Sequence, residues 1–189
     1  MEIDQKKKAL GDSAYMLWKG CVNSFGEADE KTLNMLLTAV KDYWEAGLTG
    51  NVLDLGAKGY NTSAEKYGEC NIYSAGFVYY LTEALFELKA YDDALRHGKQ
   101  AYKLCVQLYG ERNTNTTVML QRTAEIYEIK GDLEEALRIR EYNYPFMKEA
   151  WGAKHEKTTE ALALINSLKR RLGKDTQKSG LFGLFKKNK

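Results

Sequence analysis

The chain has 189 residues, with 28 Lys or Arg against 26 Asp or Glu, a formal net charge of +2, three cysteines and a single proline. No run of about eighteen apolar residues occurs, which argues against a membrane-spanning helix. An odd cysteine count without a CxxC pair argues against a disulfide framework or a structural zinc site, and Lys6-Lys7-Lys8 with no apolar stretch behind them lead us to expect an intracellular protein.

From the N-terminus, the first recurring mark is Phe25-Gly26, and Tyr67-Gly68, Tyr109-Gly110 and Trp151-Gly152 follow at intervals of 42 residues. A period of that length predicts an array of one duplicated unit that buries its apolar face by stacking on copies of itself. Between the marks, Val40 and Tyr43, Thr82 and Leu85, and Ala124 and Tyr127 share a register and read as the inner face of a first helix. Gly47, Lys89 and Gly131 then mark a turn, and Val52-Leu53, Ala94-Leu95 and Ala136-Leu137 begin a second helix. The β-rich run 72–81 coincides with a first helix and is read as helix. Each unit is therefore an αα-hairpin.

The third unit reads Tyr109-Gly110-Glu111-Arg112-Asn113-Thr114, then Leu120, Ala124, Tyr127 and Gly131-Asp132-Leu133-Glu134-Glu135-Ala136-Leu137. The later half of the second carries Tyr91-Asp92-Asp93-Ala94-Leu95. In these residues the chain resembles the tetratricopeptide repeat, in the 42-residue kinesin light chain type, over about residues 25–173. The resemblance implies an all-α, right-handed αα superhelix of about 3.5 hairpin units with terminal half repeats, acting by binding peptides rather than by catalysis. The sequence departs from the family in lacking its His-Pro step, with only His155 left in the fourth unit. It also lacks the paired asparagines of the first helix, where Tyr79-Tyr80 and Gln121-Arg122 stand. The first unit matches least, because Gly47, Gly50, Gly56 and Gly59 dilute its turn and second helix, and local opening is expected there first.

The expected organisation is a half-repeat helix in residues 1–24, the array in 25–173 with units starting near 25, 67, 109 and 151, and a basic and apolar tail in 174–189. Cys21-Val22 lies two periods before Cys105-Val106, which aligns the start with a second helix. Residues 151–173 read as a capping first helix, with Asn166 and Lys169 in the register of Ala124 and Tyr127. Pro145 falls inside a second helix and is expected to kink it near Glu141. The three cysteines, Cys21, Cys70 and Cys105, read as small buried thiols of a reducing compartment, and the expected location is cytoplasmic.

No catalytic constellation emerges. His97 and His155 fall in different units without HExxH spacing, the glycines at 47, 50, 56 and 59 lack the lysine and hydroxyl order of a P-loop, and no metal or other cofactor is expected. The reading is a non-enzymatic adaptor that holds a partner peptide in a concave groove lined by the first helices. Its candidate contacts are Asn34, Leu37, Lys41, Tyr79, Glu83, Phe86, Gln121, Arg122 and Glu125, tyrosine and arginine being enriched among binding hot spots. Of the neighbours Tyr79 and Tyr80, roughly 100° apart on a helix, one is expected in the core.

Charge divides sharply: from Lys169 onward the chain is +7, which leaves the first 168 residues at −5. Leu181, Phe182, Leu184 and Phe185 precede Lys186 and Lys187, a combination suited to an anionic lipid surface or to the acidic body of the same or a neighbouring molecule. A peripheral membrane assembly or targeting factor, tethered by that tail, is the alternative function, with a peptide-sensing regulatory subunit as a third. Nucleic acid is not an expected partner, because the excess positive charge is confined to the tail.

Overall fold

In the computed structural model, residues 4–174 are described, and among them eight helices and no strand occur. The helices are α1 (Gln5–Phe25), α2 (Glu30–Glu45), α3 (Thr49–Tyr67), α4 (Ile72–Glu87), α5 (Tyr91–Tyr109), α6 (Thr114–Ile129), α7 (Leu133–Trp151) and α8 (Glu156–Arg171). Each packs on its successor and α2 also touches α4, which is the pattern of a right-handed αα solenoid. The even-numbered helices are the first helices of the hairpins. The odd-numbered ones are the second helices.

The 42-residue marks are helix punctuation. Each aromatic residue closes a second helix, and its glycine is the C-cap at positive φ, for example 88° at Gly26 and 83° at Gly110. Four residues after each aromatic stands an N-cap, Asp29, Asn71, Asn113 and then His155, whose side chain accepts the N–H of a residue in the following first turn. His155 uses Nδ1 for this, 3.2 Å from the N–H of Lys157. Such caps stabilise a helix by about 1 kcal/mol each when the acceptor is Asp or Asn. The hairpin turns share one left-handed residue, at Gly47, Lys89 and Gly131, with Lys89 the non-glycine exception at φ 60°, and Gly173 takes the same conformation after α8.

The core is strongest between the first two hairpins and the leading half repeat. Trp18, Leu33, Leu36, Val40, Val52 and Phe77 meet there, and Tyr43 donates its hydroxyl proton to Asp12 of α1 at 2.9 Å. Burial of a side chain such as Phe77 contributes up to about 3 kcal/mol. Further along the solenoid, Val78, Leu104, Cys105 and Met119 form a second cluster, and Leu137, Ile165 and Leu168 join α7 to α8.

The first unit differs from the sequence expectation in one respect. Its second helix, α3, is unbroken and as long as α5 and α7, 19 residues each. Gly56 and Gly59 are buried notches: a Cβ on Gly59 would lie 2.3 Å from Phe77 Cζ, and one on Gly56 3.1 Å from Leu81. These glycines lower helix propensity and admit large side chains of the facing helix.

Helix α7 continues across Pro145 without ending; the proline withholds the N–H that the Glu141 carbonyl would accept. The cysteines do not share one environment. Cys105 is buried and Cys21 half-buried, but Cys70 is exposed, because it falls in the connection between α3 and α4 rather than on a helix face. The expectation of three buried thiols is corrected at that position.

Candidate functional site

The first helices line one face, and register arithmetic explains which residues reach it. Positions 42 apart form rows that cross α2, α4, α6 and α8: Asn34, Gly76, Val118 and Glu160; Leu37, Tyr79, Gln121 and Ala163; Thr38, Tyr80, Arg122 and Leu164. A helix turns about 100° per residue, so these rows, three and four apart on each helix, make one stripe.

The stripe forms two adjoining concavities that share Tyr79 and Val118. One is an apolar basin of about 560 Å³, within the roughly 300–1,000 Å³ of ligand pockets. Asn34, Leu37, Thr38 and Lys41 of α2 bound it on one side, Val118 and Met119 of α6 on the other, and Gly76 and Tyr79 of α4 form its floor. Gly76 leaves room for Leu37, whose Cδ2 would lie 2.9 Å from a Cβ there and would have to shift to admit one. Tyr79 and Tyr80 both line the basin and both are half-buried. Neither is the core residue the sequence suggested. Their rings meet edge to face with centroids 4.9 Å apart, and Trp44 packs against both. Burial pushes both phenols above the usual tyrosine range, Tyr79 with a further push from the Glu83 carboxylate, so both stay protonated donors.

The second concavity is charged. Glu83, Gln121, Arg122, Glu125, Glu128, Arg140 and Glu160 line it together with Leu164. Arg122 is fully engaged: Nε and Nη2 donate to the two oxygens of Glu83 at 2.8 and 2.6 Å, and Nη1 donates to Glu125 at 2.5 Å. Its guanidinium also lies 4.2 Å from the Phe86 ring centroid. Glu83 is buried, so this fork is a strut between consecutive first helices. An incoming carboxylate would have to displace Glu83 or Glu125 to reach Arg122. The groove therefore offers acidic groups at this point, not a free arginine.

Eight of the nine groove residues expected from sequence line one of the two concavities: Asn34, Leu37 and Lys41 the basin, Glu83, Gln121, Arg122 and Glu125 the charged part, and Tyr79 both. Phe86 does not. It stacks under Arg122 and meets Tyr91 edge to face at 5.8 Å, so its part is to seat the strut. Sequence reasoning missed Glu160 and Leu164, although continuing the 42-residue rows into α8 locates both. It also missed Glu128 and Arg140, whose ion pair at 3.1 Å joins α6 to a second helix and has no signal in the rows. Leu181, Phe182, Leu184, Phe185, Lys186 and Lys187 lie outside the described residues. No helix among the described residues is long and apolar enough to cross a membrane.

No family model and no curated protein matches the chain. Solved structures do. The crystal structure of BtubC (BKLC) from P. vanneervenii is 12% identical with a TM-score of 0.75, covering 95% of this chain and 73% of that one. A putative kinesin light chain from Podosopora anserina with nearly identical TPR-like repeats is 10% identical with a TM-score of 0.73, covering 92% and 82%, and a single-substitution form of that protein gives the same values. At such identities the likeness establishes the TPR-like repeat fold alone. That fold is generally a protein-interaction scaffold.

Proposed function

We propose that the chain is a non-enzymatic adaptor whose array, residues 25–173, holds a segment of a partner protein along the stripe formed by α2, α4, α6 and α8. The observation that carries this reading is the pairing of a tyrosine-floored apolar basin with a carboxylate-lined neighbour on one continuous face. Half-buried tyrosines supply rigid contact area with hydroxyl donors, and they lose little conformational entropy when covered. An extended segment laid across the face meets both environments in succession, which selects for an apolar residue followed or preceded by a basic one.

The test changes the stripe without touching the strut. Ile72 is 54% exposed at the rim of the basin and Val118 is half-buried between the two concavities. The double variant Ile72→Glu, Val118→Glu is compared with the unaltered chain for protein captured from native lysate. A partner lost from the variant, with helicity and thermal midpoint retained, supports the proposal; an unchanged set of captured proteins refutes it.

A further inference from the structure

We infer that the groove has an occupant within its own chain: residues 181–189 dock in cis, with Leu181 to Phe185 in the apolar basin and the lysines around them facing the carboxylates. The inference rests on the groove being a segment-binding face and names the segment it takes.

Charge is the first argument. From Lys174 onward the chain carries five lysines against Asp175. The charged concavity sets Glu83, Glu125, Glu128 and Glu160 against Arg122 and Arg140, with Arg171 reaching Glu128 from the rim at 2.6 Å. Exposed Glu160 has no ion-pair partner among the described residues. The pattern of the tail, Leu181-Phe182-Gly183-Leu184-Phe185 between Lys178 and Lys186-Lys187, matches an apolar basin that adjoins a carboxylate wall.

The competing seat within the fold is unfavourable. By the 42-residue register, a further second helix would start after Lys174 and cover α8. The face it would cover carries Leu162, Asn166 and Lys169, where α6 has Leu120, Ala124 and Tyr127. Asn166 is exposed, and the last turn of α8 holds Lys169, Arg170 and Arg171, which repel a lysine-bearing segment. A polar, basic face is a poor seat for two leucines and two phenylalanines.

Reach is sufficient. Lys174 is tied to Glu134 in the first turn of α7, so the chain leaves at the C-terminal end of the first helices. Val118 lies eleven residues from the end of α6, about 16 Å along its axis, and α4 lies two first-helix steps from α8, each somewhat wider than the roughly 8–10 Å of directly packed helices. The path is on the order of 25 Å. Seven residues to Leu181 and eleven to Phe185 span up to about 25 and 40 Å. On the direct route Lys178 passes the Glu125 and Glu160 carboxylates before the apolar residues enter the basin.

The test is photo-cross-linking of the full chain carrying Phe182→p-benzoylphenylalanine. Docking in cis predicts an adduct within one chain, joining the tail to peptides from α4 (residues 72–80) or α6 (residues 115–121). Its yield is expected to fall about fivefold in the Glu125→Lys, Glu160→Lys background, as loss of exposed ion pairs implies. Lys178→Glu with Lys187→Glu repeats this test with every groove residue intact. Adducts that map to α8, adducts that join two chains, or no adduct at all overturn the inference. Partner capture separates the two readings. Capture that depends on Ile72 and Val118, without an intrachain adduct, leaves the adaptor standing and the tail inference overturned. An intrachain adduct with capture indifferent to those residues supports the tail inference and overturns the adaptor.

Discussion

Replacing Gly59 with alanine sets two physical effects against each other. Helix propensity alone favours alanine by about 1 kcal/mol inside a helix, and α3 is a continuous helix around this position. The added methyl, however, would lie 2.3, 2.4 and 2.6 Å from three atoms of the Phe77 ring, which is fully buried at 0% exposure. Relief requires the ring to move by about an ångström in a packed core, and overpacking of this kind costs about 1–3 kcal/mol. With three ring contacts under 3 Å the cost falls in the upper part of that range, about 2–3 kcal/mol, so the net expectation is a loss of about 1–2 kcal/mol. Gly20 is the control: it is helical, has nothing within 4 Å of its would-be Cβ, and its alanine variant is expected to gain up to about 1 kcal/mol. Urea unfolding followed by circular dichroism reads both as midpoint shifts of opposite sign, at an unchanged slope of about 1–3 kcal/mol/M. Adding Phe77→Leu to Gly59→Ala makes room for the methyl, so the double variant should lose less than the sum of the two single losses. A Gly59→Ala chain as stable as the unaltered protein, or more so, would refute the notch.

Two further outcomes follow from burial. Cys70 is expected to react with a disulfide reagent within the first phase and Cys105 only on unfolding, since Cys105 is 5% exposed and burial pushes its thiol up to about 11; thiol counting before and after denaturant checks this. Burial, aided by Arg96, holds the His97 imidazole below its usual range. Stability is therefore fully present above the unfolded-state value near 6.5 and falls as pH drops below it, because the unfolded chain takes up a proton the native one resists. His97→Gln should flatten the pH dependence of the midpoint between about 6.5 and 5, and an unaltered slope would show that other groups carry it.

The sequence by itself determined the array, its period, the hairpin turns and most of the groove stripe. These depend on local chemistry repeated at fixed spacing: a glycine at positive φ, an Asp or Asn cap, and apolar residues at helical intervals have the same effect in every copy. The cap series Asp29, Asn71, Asn113 and His155 recurs at the same 42-residue spacing, but the sequence reading did not identify it, and the capping role of His155 emerges only from the structure. Only the tertiary structure decided what the groove residues do. Whether Arg122 meets a ligand or a neighbour depends on Glu83, 39 residues away on the preceding first helix, and whether Gly59 weakens α3 or seats Phe77 depends on the facing helix. Tyr79 and Tyr80 share the basin because Trp44 packs against both rings, a contact between units. Periodicity places a residue on a face. Its partner across the interface differs from copy to copy, because the repeats have diverged, and that pairing exists only once the copies are stacked.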